Sequence, residues 1–269
     1  MGEAAPQRVV ILGAGRVATH LAPAIVREGH ELLQVWSRSE TSARQVAEPL
    51  GVAYTADIDS IIDDADIYIV CVTDKALPEV AEKISRRAND AALFLHTAGS
   101  IGIEVWGHCG VEHYGILYPL QTFSKEREVD MREVSLFVEA SDEEALWKTE
   151  MLARSISDKV FRADSRCRAR LHIAAVFACN FANAMYDVAH RLLTEGDIPF
   201  EVLLPLIDET AAKVHTLIPR EAQTGPAVRG DRVVVQRHLE ALAADEKLCE
   251  IYGAVSKLIQ DYSKSPEVS

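Results

Sequence analysis

At 269 residues, 48% of them hydrophobic, the chain suits one large or two modest domains with a substantial core, which excludes disorder. A net charge of -13 argues against nucleic acid or an anionic membrane surface as a partner, since either demands a basic face. The five cysteines, at 71, 109, 167, 179 and 249, form no Cys-x-x-Cys pair, and no apolar segment resembles a signal peptide or spanning helix; together these read as a reduced, cytoplasmic protein. His108, Cys109 and His113 match no common zinc spacing, so no metal is expected.

The first predicted strand, Arg8 to Leu12, breaks into Gly13-Ala14-Gly15-Arg16-Val17-Ala18, a Gly-x-Gly-x-x-Ala turn that runs on as a helix from Val17 to Arg27. Gly13 allows the tight turn, Gly15 lets backbone approach a pyrophosphate, and Ala18 lets helix and strand pack closely. With Ala14, Arg16 and Val17 they make a candidate phosphate cradle at a helix N-terminus. After Gly29 a second apolar run, Glu31 to Trp36, closes a β-α-β unit. An NAD-binding chain normally carries Asp or Glu after that strand. Here stand Ser37, Arg38 and Ser39, two hydroxyls and a guanidinium suited to the 2′-phosphate of NADP; a plain polar turn is the alternative.

Strand and helix patterns continue to alternate: a short strand near 52–55, a helix near 58–63, the run Ile67 to Val72, a helix from Lys75 to about Arg87, and the strand Ala92 to His96. A further strand ends at Tyr118, another spans Val134 to Glu139, a helix opens with the capping box Ser141-x-x-Glu144, and Lys159 to Arg162 completes the series. Runs such as Ile67 to Val72, apolar throughout, suit strands buried on both faces, so the fold class is α/β with a doubly wound, mostly parallel Rossmann sheet. Residues 1–163 are read as the NADP-binding domain and 164–269 as a smaller, all-helical domain that serves the substrate cleft and dimerisation.

In an open parallel sheet, ligands lie outside the carboxyl ends of the strands. Three such ends carry distinctive residues: Val72, Thr73 and Asp74; Thr97, Gly99 and Ser100; and Tyr118 followed by Gln121. The first two sets are candidates for the cofactor, Tyr118 and Gln121 for the substrate. Asp74 can equally cap the next helix, Gly99-Ser100 make a turn, and Tyr118-Pro119 a rigid bend.

Beyond residue 164 the pattern is helical. The stretch from Arg166 to Thr194 lacks Gly and Pro and is apolar around most of its circumference, which suits a helix buried in a helical domain or a subunit interface and predicts a homodimer. At about 100° per residue, His172, Arg168, Cys179, Asn183, Asp187 and Asn180 fall on one polar stripe, facing either a wet cleft or hydrogen-bonding partners. A helical region from Phe200 to Leu217 is interrupted at Pro205, and two more helices follow over 231–244 and 245–262, with a frayed tail from Ser263. In the loop Thr224 to Asp231, Asp231 reads as the N-cap of the next helix and Arg229 as a candidate for a substrate carboxylate.

The fingerprint, Ser-Arg-Ser, HTAGS, YPLQTF, the HIAAVFACN helix and the TGPAVRGD loop occur in one order. This combination resembles Rossmann-like NADP oxidoreductases whose C-terminal half is the domain of unknown function 2520. Those proteins look like distant relatives of ketopantoate reductase, pyrroline-5-carboxylate reductase and the 6-phosphogluconate dehydrogenase group. The resemblance implies a nucleotide domain followed by a helical domain that often pairs in a dimer. Relatives with established dehydrogenase chemistry carry Lys-x-x-x-Asn on the first long helix, with Lys handling the proton; this chain has His172 and Asn180 instead.

The resulting expectation is an NADP-dependent reductase or dehydrogenase of a small, carboxylate-bearing carbonyl or imine. His172 would move the proton, Asn180 orient the substrate, and Asn183 and Arg229 bind it. The alternative is a non-catalytic NADP-binding redox sensor that signals through its helical dimer.

Overall fold

A computed structural model describes residues 5–89 and 91–264. Eight strands form one sheet: β1 (Arg8–Leu12), β2 (Glu31–Trp36), β3 (Ala53–Thr55), β4 (Ile67–Val70), β5 (Leu93–His96), β6 (His113–Leu120), β7 (Ser135–Ala140) and β8 (Val160–Arg162). Their order is β3-β2-β1-β4-β5-β6-β7-β8, parallel throughout except that β7 runs antiparallel to β6. The chain leaves β1 toward β2 and β3 and returns on its other side as β4, which makes the β1/β4 crevice a topological switch point. Alternation along β1 sends Val9 and Ile11 into the core on one face and Val10 and Leu12 into the core on the other.

Helices α1 (Arg16–Arg27), α2 (Glu40–Ala47), α3 (Leu77–Ser85) and α4 (Glu143–Ile156) accompany the sheet. Three local details depart from the sequence pattern. The stretch 58–63 holds only a 3-10 turn, Ile58–Ser60, capped by Asp57. Helix α4 is capped by Asp142, which accepts from the Ala145 amide, while the Ser141 hydroxyl donates to Asp142; the carboxylate is the stronger acceptor, so it displaces the expected Ser141 box. Pro205 does not interrupt a helix: it lies in the first turn of α7, where its missing amide costs nothing.

Helix α5 (Ser165–Ala175), a π-helical turn (Val176–Phe181) and α6 (Ala182–Thr194) follow in unbroken succession. By packing, the chain divides into two compact units, Met1–Ala184 and Met185–Ser269. The first contains the sheet and α5. The second contains most of α6, α7 (Leu204–Lys213), α8 (Arg232–Ala241) and α9 (Glu246–Lys264). Within it, Asp231 caps α8 by accepting from the Val234 amide, and Nδ1 of His238 on α8 meets the Tyr252 hydroxyl of α9 at 2.7 Å. Ser263 and Lys264 complete α9; the rest of the tail expected to fray lies outside the described residues.

The units differ in how they treat apolar side chains. Among the described residues from 185 onward only Ala227 and Ser256 are buried, while Leu206, Ile218 and Val233 are each 63% exposed. No helix among the described residues is long and apolar enough to cross a membrane.

Candidate active site

The turn after β1 is built for close approach. Gly13 has φ +128°, and a Cβ there would run into the backbone carbonyl of Cys71 across the β1/β4 crevice. Its amide donates to the Trp36 carbonyl at 2.7 Å, tying the turn to the end of β2. Gly15, two residues on, has nothing within 4 Å of where its Cβ would lie and is exposed. It is the N-cap of α1 and supplies no side-chain acceptor, so the amides of the first turn are left to a ligand or solvent. Ala14 is buried beneath this turn, Arg16 is exposed and Val17 packs against the core. The donor set and the open space above Gly15 fit the pyrophosphate of a dinucleotide, which would be held by the residues from Gly13 to Val17.

After β2, Ser37, Arg38 and Ser39 share one turn at the same sheet edge. The Ser39 hydroxyl accepts from the Ser42 amide as the N-cap of α2, so it serves a local structural role, while Arg38 is exposed and makes no ion pair among the described residues. The hydrogen bond and charge of Lys83 hold the Glu79 carboxyl below the usual range, and the charge of Arg38 adds a smaller contribution.

The ends of β4, β5 and β6 converge. Asp74 does not cap α3, whose N-cap is Ala76; it accepts a hydrogen bond from the Ser100 hydroxyl, which bridges the turns after β4 and β5. Val72 packs against the core, Thr73 turns the chain into α3 through its carbonyl, and Thr97 is buried, its amide bonded to the Val70 carbonyl. Tyr118, two residues past the paired end of β5, shares a hydrogen bond of 3.2 Å with Nδ1 of His172, the rings meeting edge to face. A Cβ on Gly99 would lie 2.8 Å from both His172 Nδ1 and the Tyr118 ring, so glycine is required where this pair rests on the turn. The two side chains are direct partners.

Arg168 holds α5 in place for this contact. Its guanidinium is 1% exposed and donates to Glu139 on β7 at 2.6 Å and to the Ile101 carbonyl at 2.6 Å. Ser165 donates to the same carboxylate and accepts from the Ile103 amide. Thus Arg168, expected on a stripe with His172, is consumed in a buried network, and Asp187 is paired with Arg191 on the surface. The π-turn also breaks the stripe's phase. Its i→i+5 bonding adds about one residue per turn, which retards everything beyond it by roughly 100°. Asn180, inside the turn, rotates toward the direction of His172, whereas Asn183 swings to about 80° from it. Both asparagines are exposed.

Two further candidates remain. The Gln121 side chain accepts from the amide and hydroxyl of Thr122 and so closes its own turn. Arg229 is exposed in the second unit, in a loop where Gly225 and Gly230 adopt φ of +105° and +69°.

The sequence placed His96 at the end of β5 beside the candidate cofactor but gave it no role of its own. It is fully buried, Nδ1 accepts from the Ala98 amide, and Nε2 has no hydrogen-bond partner. Burial, helped by the Arg168 charge and opposed by the Gly102 backbone and Asp74, lowers its pKa to about 4, so it is neutral at physiological pH. The HTAGS string was the available signal. His20 was also missed: on α1, it stacks on Phe123 and bonds the Ser124 carbonyl at 2.7 Å, fastening the segment after β6 to the nucleotide helix.

A parallel sheet with a switch-point glycine turn, an uncapped helix behind it and polar strand ends around it defines a Rossmann-type dinucleotide-binding protein with a helical C-terminal region. Comparison with known proteins agrees. Residues 8–98 match the family described as NADP oxidoreductase, coenzyme F420-dependent, and residues 134–259 match a domain of unknown function, DUF2520. A solved protein of Bacteroides fragilis, provisionally titled an NADP oxidoreductase, is 46% identical, with a TM-score of 0.91 over 95% of this chain and 98% of that one. The chain belongs to the family of that protein, Rossmann-fold oxidoreductases with a DUF2520 C-terminal region. A pyrroline-5-carboxylate reductase of Streptococcus pyogenes shares the fold, with 14% identity and a TM-score of 0.61 over 98% of this chain and all of that one. The glycerol-3-phosphate dehydrogenase [NAD(P)+] of Staphylococcus saprophyticus is 28% identical over 107 residues, 35% of this chain and 32% of the dehydrogenase, so the likeness spans about a third of that curated relative.

Proposed function

We propose that this protein is an NADP-dependent reductase or dehydrogenase of a small carbonyl or imine, one bearing a carboxylate. The observation that carries the reading is the contact of Tyr118 with His172 over Gly99, at the same sheet edge as the Gly13–Gly15 turn. A bound nicotinamide would supply hydride chemistry. The Gly13 to Val17 turn would bind the pyrophosphate, Arg38 the 2′-phosphate, and Asp74 with Ser100 would brace the turns beside it. His172 and Tyr118 would hold and move a proton, and Asn180 would orient the substrate. Arg229, exposed and without an ion pair among the described residues, is available to a carboxylate. The provisional description of the Bacteroides relative as an NADP oxidoreductase supports this class.

We also propose a cytoplasmic homodimer joined through the C-terminal helices. Ile173, Phe177, Phe181, Met185 and Leu192 stand exposed along 165–194, more apolar surface than one chain leaves open without a partner. Free thiols at Cys167 and Cys179, both exposed, suit a reducing compartment.

The test of the cofactor is a titration with NADPH and NADH. Arg38→Ala should weaken NADPH binding by about 1.5 to 3 kcal/mol, the size of a charged hydrogen bond, with little effect on NADH. Equal affinity of the unaltered protein for both nucleotides would defeat the NADP assignment.

A further inference from the structure

Tyr118 sits where a reacting group is needed. Its side chain is 8% exposed at the carboxyl edge of β6, and its hydroxyl bonds His172 Nδ1. His172 is half-buried and therefore within reach of solvent protons, while the phenol is shielded by the Gly99 turn on one side and Phe137 on another. The buried Arg168–Glu139–Ser165 network fixes α5 and with it the distance between the two rings. A buried phenol backed by an imidazole that communicates with water is a two-member proton path.

We propose that Tyr118 is the catalytic acid–base of this site and that His172 acts behind it, carrying protons between the phenol and solvent. The assignment rests on the hydride-transfer reading given above. In the reductive direction a reduced nicotinamide, held by the Gly13 to Val17 turn, would be the reductant and would supply two electrons with one hydrogen to the substrate carbon. A C–H bond forms there, the carbonyl or imine π bond breaks, and the oxygen or nitrogen takes the phenolic proton of Tyr118. The Nδ1 proton of a His172 imidazolium moves to the phenolic oxygen. Tyr118 is thereby restored, His172 is left neutral, and a proton from water recharges it. Burial raises the Tyr118 pKa against the opposing charge of Arg168, which keeps the phenol protonated and ready to donate at neutral pH. The other charged groups around the pair are Glu139, paired to Arg168, and Asp74, bonded to Ser100. The buried His96 stays neutral above about pH 4.

Two measurements on the full-length protein decide the matter. The first needs no nucleotide: the His172 imidazole is titrated by NMR in the unaltered protein and in Tyr118→Phe, and the Tyr118 phenol by ultraviolet absorbance in the unaltered protein and in His172→Gln. A relay predicts that each replacement moves the other group's titration by half a pH unit or more; independent titrations would overturn it. The second follows NADPH oxidation with a set of 2-oxo acids and cyclic imines. Tyr118→Phe should lower turnover by 100-fold or more with NADPH affinity within twofold, the scale of lost general acid catalysis. His172→Gln should change the pH dependence of turnover that the unaltered protein shows, and an identical pH–rate profile would overturn the relay. Turnover within threefold of the unaltered protein in Tyr118→Phe would overturn the proposal. Failure of the unaltered protein to bind NADPH would remove the hydride-transfer reading, and the first measurement would still decide whether the two rings form a coupled pair.

Discussion

The sheet unit and the helical unit solve the same problem differently. In the first, Val9, Val10, Ile11 and Leu12 are fully shielded, because a parallel sheet clothed by helices buries both faces from within one chain. In the second, Leu206 on α7, Val233 on α8, and Val214 and Ile218 in the segment between them are about half exposed or more. A helix buries one stripe, and a few short helices cannot cover one another's stripes. Stability in the first unit therefore comes from its interior, whereas in the second it depends on what covers the helices.

The largest expected effect is that of Gly13→Ala. Its Cβ meets immovable backbone and its φ is hostile to L residues, so the loss should approach about 5 kcal/mol by chemical denaturation. Gly225→Ala, at φ +105° with open space around it, should cost only about 1 to 2 kcal/mol. Comparable losses would erase the contrast between the units. Charge gives the next measure. Arg168→Met strands Glu139 in a buried network and should cost about 3 to 5 kcal/mol, while Arg191→Ala, from an exposed pair, should change stability by less than about 0.5 kcal/mol.

The sheet unit should also carry a pH signature. An unfolded His96 takes up a proton below about pH 6.5, but the folded one refuses it until about 4. Stability should therefore be unaffected by this group above pH 6.5 and fall as pH drops from there toward 4, by on the order of 3 kcal/mol. In His96→Gln, urea denaturation across that window should show a shallower decline; an unchanged slope would show that His96 is not its source. The last measurement concerns the second unit. If a second copy covers its helices, tenfold dilution should lower apparent stability by about 1.4 kcal/mol, and Leu206→Asp with Ile218→Asp should sediment as monomer. A dilution-independent melting temperature would sharpen the contrast differently, by showing that these helices stand alone.

The apolar runs of β1, β2, β4 and β5, the Gly13–Gly15 turn and the Asp231 cap could be read directly from residue order, because each depends on neighbours a few positions away. The residues gathered at the strand ends were legible as a set for the same reason, since the carboxyl edge of a parallel sheet follows from strand direction. Their partnerships were not. Tyr118 meets His172 across 54 residues, and Arg168 meets Glu139 across 29. No local pattern distinguishes a polar helical residue that faces a cleft from one that neutralises a buried carboxylate. The π-turn at Val176–Phe181 shifts the phase that a helical wheel assumes, and Gln121 satisfies itself within its own loop. Residue order settles where backbone turns and which faces are apolar. The choice of hydrogen-bond partner is made by competition among all buried groups at once, and only the packed chain decides it.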